Sequence, residues 1–398
     1  MSPSPRQLKI AIIGGGPVSL TLANILQNNK ISFTVFEAAD SFRASGGSLD
    51  LHPESGQLAL KEAGLWDAFV ANSRPESDCD KIVNLNGEVL WDENLLKKEE
   101  QSEEEKFAGR PEIDRRLLMG ILFENLRKEN VLFGKKLDHI APSQDDESKY
   151  DLHFSDGTQD KHFDLVIGGD GAWSKVRSLL VDAKPRYSGI SMVEVNCTDI
   201  SLNPWLMDYV GIGSMFAFGE GQAVLAQRQG DGSLRTYAAL RVPEDFLETC
   251  GIDWTQPNTA RNQLVEKYFS HIGEDLKRVI LECKDDLTPR PLFELPVGFA
   301  WPHRSGITLI GDAAHVMTPF AGVGVNVGMT DALVLGREII EAVQGKKSLD
   351  EALRAYEQEM SPRARKYMEK TERGKQNHFS ADGAKEFADI MRAHHQTA

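Results

Sequence analysis

Positive charge is in short supply in this chain. Its 45 lysines and arginines stand against 60 aspartates and glutamates, for a formal net charge of −15 over 398 residues. That balance argues against nucleic acid or an anionic membrane as a partner held by charge. Cysteine is scarce too. Cys79, Cys197, Cys250 and Cys283 lie far apart and form no C-x-x-C pair, which excludes a disulfide framework and a zinc site. No apolar run approaches the roughly 18 residues that span a bilayer, and Met1–Gln7 is polar and proline-bearing, unlike a secretory signal. No Ser/His/Asp or metal-ligand constellation points to a side-chain nucleophile or a metal centre, so no catalytic side chain and no metal are expected. What remains is a soluble, cytoplasmic globular protein, expected to be a monomer acting on a small molecule and long enough for two domains with real cores.

The chain is organised around KIAIIGGGPVS, Lys9–Ser19. Ile10–Ile13 reads as a buried strand, three glycines follow, and Leu20–Leu26 reads as a helix. Gly14 permits a tight reversal, and Gly16 lets the backbone approach a pyrophosphate with no Cβ in the way. The helix that opens there aims its free N–H groups and positive dipole end at that anion. The third position of G-x-G-x-x-G is Ser19, so this helix packs less tightly on its strand. A second strand, Phe33–Phe36, ends in Glu37, about 20 residues on, where a ribose-binding acid belongs.

Two further strand–glycine–helix units follow. In Phe163–Arg177, FDLVIGGDGAWSKVR, the turn Gly168–Gly171 carries Asp170. In Ile307–Asp331 the strand runs into Gly311–Asp312, Pro319, Gly322 and Gly324 build a loop, and a helix begins near Val325. His315 lies in that loop and reads as structural rather than as a general base. Between these units, Arg43–His52 (RASGGSLDLH) reads as a loop and short strand, and Pro53–Val70 as one helix. Lys81–Trp91 reads as a hairpin turning at Asn86–Gly87, and Leu96–Lys106 as a solvated charge run. RPEIDRR, Arg110–Arg116, precedes an amphipathic helix with Arg115 at its start, a position that a nearby anion would explain. From about Pro185 the texture turns to short β-rich runs, expected as an antiparallel sheet with one solvated face and one face over a cavity. Leu349–Lys375 reads as a long charged helix.

Taken together, in this order and spacing, the three units resemble the single-component (class A) flavoprotein monooxygenases, from Lys9 to about Tyr367. Within that family, GGSLDLH and RPEIDRR resemble the tetracycline-inactivating monooxygenases, the tetracycline destructases. The resemblance implies an α/β fold: a Rossmann-like FAD-binding domain (1–183 and 287–345) with an inserted antiparallel β-sheet substrate domain (184–286) and a C-terminal helical segment (346–398). It implies that Gly14, Gly16 and Glu37 hold the ADP half of FAD, that Arg115 lies beside the flavin end and that Asp50 touches FAD. Arg43 would contact the nicotinamide cofactor, and Asp170 would serve both FAD and NAD(P)H. Asp312 would bond the ribityl and pyrophosphate region, and Gly324, Val325 and Asn326 would face the pyrimidine ring. The implied reaction is reduction of FAD by NAD(P)H and hydroxylation of a small molecule, aromatic or polycyclic and tetracycline-like at one extreme, through a flavin C4a-hydroperoxide. Val323 stands where Gln is frequent. Glu194 and Ser214 fall where tetracycline destructases carry a drug-gripping Gln and Arg, and losing that Arg removes a multi-donor cation. The residues leave two other readings open: an NAD-dependent dehydrogenase, and a non-catalytic binder on a flavoprotein scaffold.

Overall fold

A computed structural model describes residues 8–43, 46–96 and 102–397. Met1–Gln7, and Ala44–Ser45 within RASGGSLDLH, lie outside the described residues. So do 97–101 of the charge run.

The chain opens with β1 (Ile10–Ile13), α1 (Pro17–Asn28), β2 (Thr34–Phe36) and the short β3 (Ser48–Asp50). The helix expected from Pro53 to Val70 is two, α2 (Gly56–Glu62) and α3 (Trp66–Asn72), because Gly64 between them is left-handed at φ +69°. The hairpin β4 (Asp80–Asn84), β5 (Val89–Asp92) turns through Gly87, and α4 (Glu103–Lys106) closes the charge run. Next come β6 (Glu112–Asp114), α5 (Arg115–Glu124), β7 (Val131–Leu132) and a meander of β8 (Leu137–Pro142), β9 (Tyr150–Phe154) and β10 (Gln159–Phe163). β11 (Leu165–Gly168) and α6 (Lys175–Leu180) follow, then β12 (Arg186–Cys197), α7 (Pro204–Val210), β13 (Ser214–Gly219), β14 (Gln222–Arg228) and β15 (Leu234–Arg241). The last part holds α8 (Phe246–Thr249), α9 (Pro257–Tyr268), α10 (Glu274–Glu282), β16 (Leu287–Glu294), β17 (Ile307–Leu309) and α11 (Asp312–His315). Three long helices end it: α12 (Gly324–Val343), α13 (Leu349–His378) and α14 (Gly383–Thr397).

The strands β17-β11-β1-β2-β7 form a parallel sheet. β1, β11 and β17 are wholly buried apolar runs, as strands covered on both faces must be. Helix α12 packs against α1 and α13 beside this sheet, and Phe154 and Phe163 of the meander pack on Phe36 of β2, ring centroids 5.0 and 5.9 Å apart. Chain order reverses at β1, with β2 on one side and β11 on the other, so the crevice for a ligand opens at its carboxyl end. All three glycine turns leave the sheet at that end.

A second sheet has the order β16-β12-β15-β14-β13-β4-β5. Four of its seven strands lie within 184–286; β4, β5 and β16 join from outside that range, β4 parallel to β13 and β16 antiparallel to β12. The expectation of a solvated face is corrected here. Val193, Val195, Met215, Ala217, Val224 and Ala238 are buried beneath apolar residues of α7 to α10, among them Leu206, Leu264, Leu276 and Ile280. The other face carries Ile82, Met192, Phe218, Ala223 and Ala239, roofed by Phe320, Phe379 and α14. The C-terminal helix is therefore part of the wall over this sheet.

Candidate active site

At the carboxyl end of β1, Gly14 is left-handed (φ +95°), and a Cβ there would press into the carbonyl of Gly169. Gly16 serves the other need. It caps the N-terminus of α1 with no side-chain hydrogen bond, and nothing lies within 4 Å of where its Cβ would sit. Pro17 at the first helical position removes one N–H, and the next ones face that open space. Glu37 ties the turn to β2: its carboxylate accepts from Gly15 N–H (2.6 Å) and Ala39 N–H (2.8 Å).

A cavity of ≈ 260 Å³ begins here, lined by Gly15, Gly16, Glu37, Arg43, Arg115, Phe133 and neighbours. Arg43 is exposed at its rim. Arg115 is the first residue of α5, beyond Asp114. The structure thus brings Arg115 and Arg43 together with Glu37, two guanidiniums and a carboxylate around one opening.

The other carboxylates differ in their freedom. Asp170 caps α6, accepting from Ser174 Oγ (2.5 Å) and Lys175 N–H (2.7 Å). Asp312, the first residue of α11, is exposed. Asp50 is half-buried, 3.1 Å from His52 Nε2 and 3.8 Å from Arg110. The side chain of Asn326 is committed to the protein. Its Oδ1 accepts from His52 N–H (2.9 Å), and its Nδ2 donates to the Asp50 carbonyl (2.8 Å). What Gly324, Val325 and Asn326 offer a ligand is backbone: α12 has no side-chain cap, and nothing lies within 4 Å of a Cβ at Gly324. An uncapped 20-residue helix presents unpaired N–H groups and a positive dipole end. His315 is structural. Buried, it lies 2.7 Å from Asp331, which also accepts from Gly311 N–H (2.8 Å) and Arg363 (3.0 Å). Burial alone would depress the imidazole, but the Asp331 carboxylate outweighs it and raises its pKa. Among the described residues no group of three or more His, Cys, Asp or Glu could hold a metal ion, and no helix is long and apolar enough to cross a membrane.

Strand register lays out the open face of the large sheet in rows. Glu194, Tyr237, Leu225, Phe216 and Ile82 form one; Asn196, Arg235, Gln227, Ser214 and Asp80 form the next. Glu194 and Ser214 therefore share a face, on strands separated by β15 and β14. Central-strand residues Tyr237, Leu225, Phe216, Arg235 and Gln227 remain half-exposed although the domain closes over them. Facing this partly open floor are Phe320, Phe379 and α14. The loop at Gly46 and Gly47 lies between this floor and the cavity lined by Gly16 and Arg115. A Cβ on Gly46 would lie 2.6 Å from Arg115, and one on Gly47 2.9 Å from Gln227 and 3.6 Å from the Tyr237 hydroxyl.

Several groups here carry no motif. Glu194, nearly sealed from solvent, is clamped between Arg235 Nη1 and Arg290 Nε, each at 2.5 Å. Glu112 is buried, 3.1 Å from Gln227 Nε2 and 3.5 Å from Arg74. Burial pushes Glu112 up to about 8 and Asp80 up to about 7, with Arg74 and Arg110 respectively opposing. His378, at the end of α13, stacks on Phe218 (4.2 Å, 11°) beside Phe387 and Phe320. Glu194 was expected at the substrate site from the resemblance; of the others, Glu112 had a sequence signal, as the first acid of RPEIDRR, two residues from Asp114 and so on the same face of a strand.

Residues 7–371 match the family model described as an FAD binding domain. The chain is 30% identical to the monooxygenase penA of Penicillium thymicola, across 97% of this chain and 98% of that protein. The crystal structure of Klebsiella pneumoniae HpxO complexed with FAD and uric acid has a TM-score of 0.76 at 21% identity, covering 98% of this chain and 94% of that one. Tetracycline destructase Tet(55) has a TM-score of 0.73 at 17% identity, covering 98% and 96%. At those identities the two structures establish the fold. The open cradles at Gly16 and Gly324, each before uncapped helical N–H groups, fit a dinucleotide with a central pyrophosphate and a ring that becomes anionic on reduction at one end.

Proposed function

The chain belongs to this family, the FAD-dependent monooxygenases that use NAD(P)H, and from that premise we propose that it hydroxylates an aromatic or polycyclic small molecule in a chamber over the open face of the seven-stranded sheet. The observation that carries this reading is the sharing of residues between cofactor loops and chamber. Phe320 comes from the third glycine loop yet packs with the sheet's open face, and Gly46–Gly47 touches Arg115 on one side and Gln227 on the other.

Bound FAD, reduced by NAD(P)H, supplies the activated oxygen; the chain supplies position, charge and dryness. Gly14 and Gly16 give the pyrophosphate room, and Glu37 retains lone pairs for a ribose hydroxyl beyond its two backbone bonds. Arg115, which lines the cavity and lies against Gly46, stands beside the flavin end of the cofactor, and Arg43 at the rim meets NAD(P)H. Asp312 faces the ribityl and pyrophosphate stretch, while Asp50 and Asp170 reach FAD only at the edge of their present bonds. The first-turn N–H groups from Gly324 to Asn326 stabilise negative charge on the ring end of the cofactor. Phe216, Leu225, Tyr237 and Phe387 exclude water from the substrate. Glu112 holds its proton at neutral pH beside Gln227. Glu194 and Ser214 contribute to the floor, with Glu194 acting through its arginine pair.

The relatives' named substrates suggest the class of ring. HpxO was crystallised with uric acid, and Tet(55) is named for tetracycline. A net charge of −15 supports a monomer with no nucleic-acid partner. The test is to purify the protein, identify its cofactor, and follow NAD(P)H oxidation against single-ring phenols, fused heteroaromatics and tetracyclines. A yellow protein whose NAD(P)H oxidation is accelerated by one class, with an oxygenated product by mass, is expected. FAD binding with no ring-dependent oxidation would leave the non-catalytic binder as the reading.

A further inference from the structure

The loop that delivers β17 carries an imidazole with a carboxylate on each nitrogen. His303 Nδ1 lies 2.7 Å from Glu357, and Nε2 lies 2.9 Å from Asp350. Both acids belong to α13, two turns apart along one face. A neutral imidazole donates from one nitrogen and accepts at the other, so one of these contacts would set lone pair against lone pair. The geometry is that of an imidazolium, which donates from both. Burial and the Arg354 guanidinium lower the pKa of His303, but the two carboxylates outweigh them and raise it. The ring is within reach of water. A cavity of ≈ 260 Å³ opens beside it, lined by Trp301, Arg354, Glu357 and His303 itself, and 14% of the His303 side chain is exposed.

What these contacts hold is β17. It lies at the edge of the parallel sheet, with β11 as its one partner strand among the described residues. Its other flank leans on α13. Thr308 Oγ1 donates to the same Glu357 (2.9 Å), Tyr356 Oη donates to the Leu309 carbonyl (2.8 Å), and Ser305 Oγ donates to Asp350. β17 then runs into Gly311–Asp312, the third glycine turn of the cofactor site. Asp350, Glu357 and Arg354 are the charged groups that α13 turns toward His303. Arg304 of the same loop points elsewhere, to Tyr150 Oη and the Leu179 carbonyl.

We propose that His303 is a pH-sensitive latch on the cofactor site: protonated, it pins β17 to α13 and keeps the Gly311–Asp312 turn in place; deprotonated, it lets that edge loosen, and FAD is held less tightly. This rests on the third turn as part of the FAD site, and not on the reading of the open sheet face. A histidine charged in the folded chain contributes stability that is complete below its ordinary value of 6.5 and is lost as pH climbs through the higher folded one. The hold on FAD should follow the same direction.

The experiment measures the dissociation constant for FAD of the full chain, by flavin fluorescence, at about pH 6 and about pH 9 and one ionic strength. In the wild type it should rise roughly tenfold between the two, the scale of one hydrogen bond to a charged group. H303Q keeps a donor but gains no proton, so it should bind FAD more weakly at the lower pH and lose most of the rise. H303R stays charged, with the neighbouring cavity to take its length, and should hold FAD at both. Glu112, Asp80 and His315, whose pKa values are also raised, are present in all three proteins, so the comparison isolates His303. Amide exchange of the loaded wild type, corrected for its intrinsic pH dependence, should show 307–312 opening more readily at the higher pH. Should H303Q not fold, E357Q, which takes away one of the two carboxylates, should flatten the rise in the same direction. A wild-type profile that is flat, or parallel to that of H303Q, overturns the proposal. So does an H303Q protein that melts lower than the wild type yet holds FAD equally well at both pH values.

Discussion

The hydroxyl of Ser19 occupies the space that a side chain on Gly169 would need: a Cβ built there falls well inside contact distance of Ser19 Oγ. Ser19 stands where the first glycine motif lacks its third glycine. The second motif makes up the loss, since Gly169 yields its Cβ volume to α1. The expectation that this helix packs less tightly is met with a compensating glycine rather than a gap, at the cost of a buried hydroxyl with no partner.

Because the two residues share one volume, G169A should destabilise the protein by about 1–3 kcal/mol through overpacking. S19A should be neutral or slightly stabilising, since it removes an unpaired buried hydroxyl. The double variant should recover most of the loss, a non-additivity that urea unfolding of the four proteins would measure. Strict additivity would mean that the contact does not matter.

Glu37 has two jobs, holding the glycine turn through Gly15 and Ala39 and facing the cavity. E37A leaves two backbone N–H groups without acceptors, so stability should drop by about 1–3 kcal/mol. The dissociation constant for FAD, read by flavin fluorescence, should rise roughly tenfold or more. E37Q, which keeps an acceptor oxygen, should fall between.

The pH dependence of stability should carry the signature of Glu112. Its pKa is about 8 in the folded chain against an ordinary 4.5. A carboxyl raised on folding contributes stability that is complete below its unfolded pKa and is lost as pH climbs through the folded value. Asp80, raised to about 7, acts with the same sign. Wild-type stability should therefore fall between about pH 5 and pH 8. In E112Q the fall should be shallower, so that urea titrations show the variant gaining on the wild type at the higher pH. A difference that is independent of pH would contradict the assignment.

The Glu194 clamp should be asymmetric. Arg235 keeps 23% of its side-chain surface exposed and Arg290 52%. Removing the buried partner hurts most, because it leaves two guanidiniums uncompensated; E194A should cost about 1–3 kcal/mol. R235Q should cost more than R290Q, since solvent already screens the more exposed arginine. Thermal melts of the three variants would test that order.

Local signals made the cofactor side legible. Ile10–Ile13, Leu165–Gly168 and Ile307–Leu309 are continuous apolar runs that end at glycines, and buried parallel strands are written in that way. The large sheet was less legible because its pairings are distant. β4 lies beside β13, some 130 residues on, and nothing in Asp80–Asn84 announces that neighbour. Alternation along β12 correctly separates Glu194 from Val193 and Val195, but it cannot say that α7 to α10 cover the valine face. The anion expected near Arg115 has a cavity to sit in, shared with Glu37. Asp331 and His378 carry no motif; their partners are set by how α12 and α13 pack, which one sequence does not record.

The most direct test is a turnover of the FAD-loaded protein with NAD(P)H and oxygen-18-labelled O₂, in the presence of the ring compound that most accelerates NAD(P)H oxidation, with the product weighed by mass spectrometry. The expected result is a product that gains a single oxygen atom bearing the label, at a rate that falls when the floor is altered in F216A. NAD(P)H oxidation that returns all the labelled oxygen as hydrogen peroxide, whatever ring is present, would contradict a monooxygenase built on this chamber.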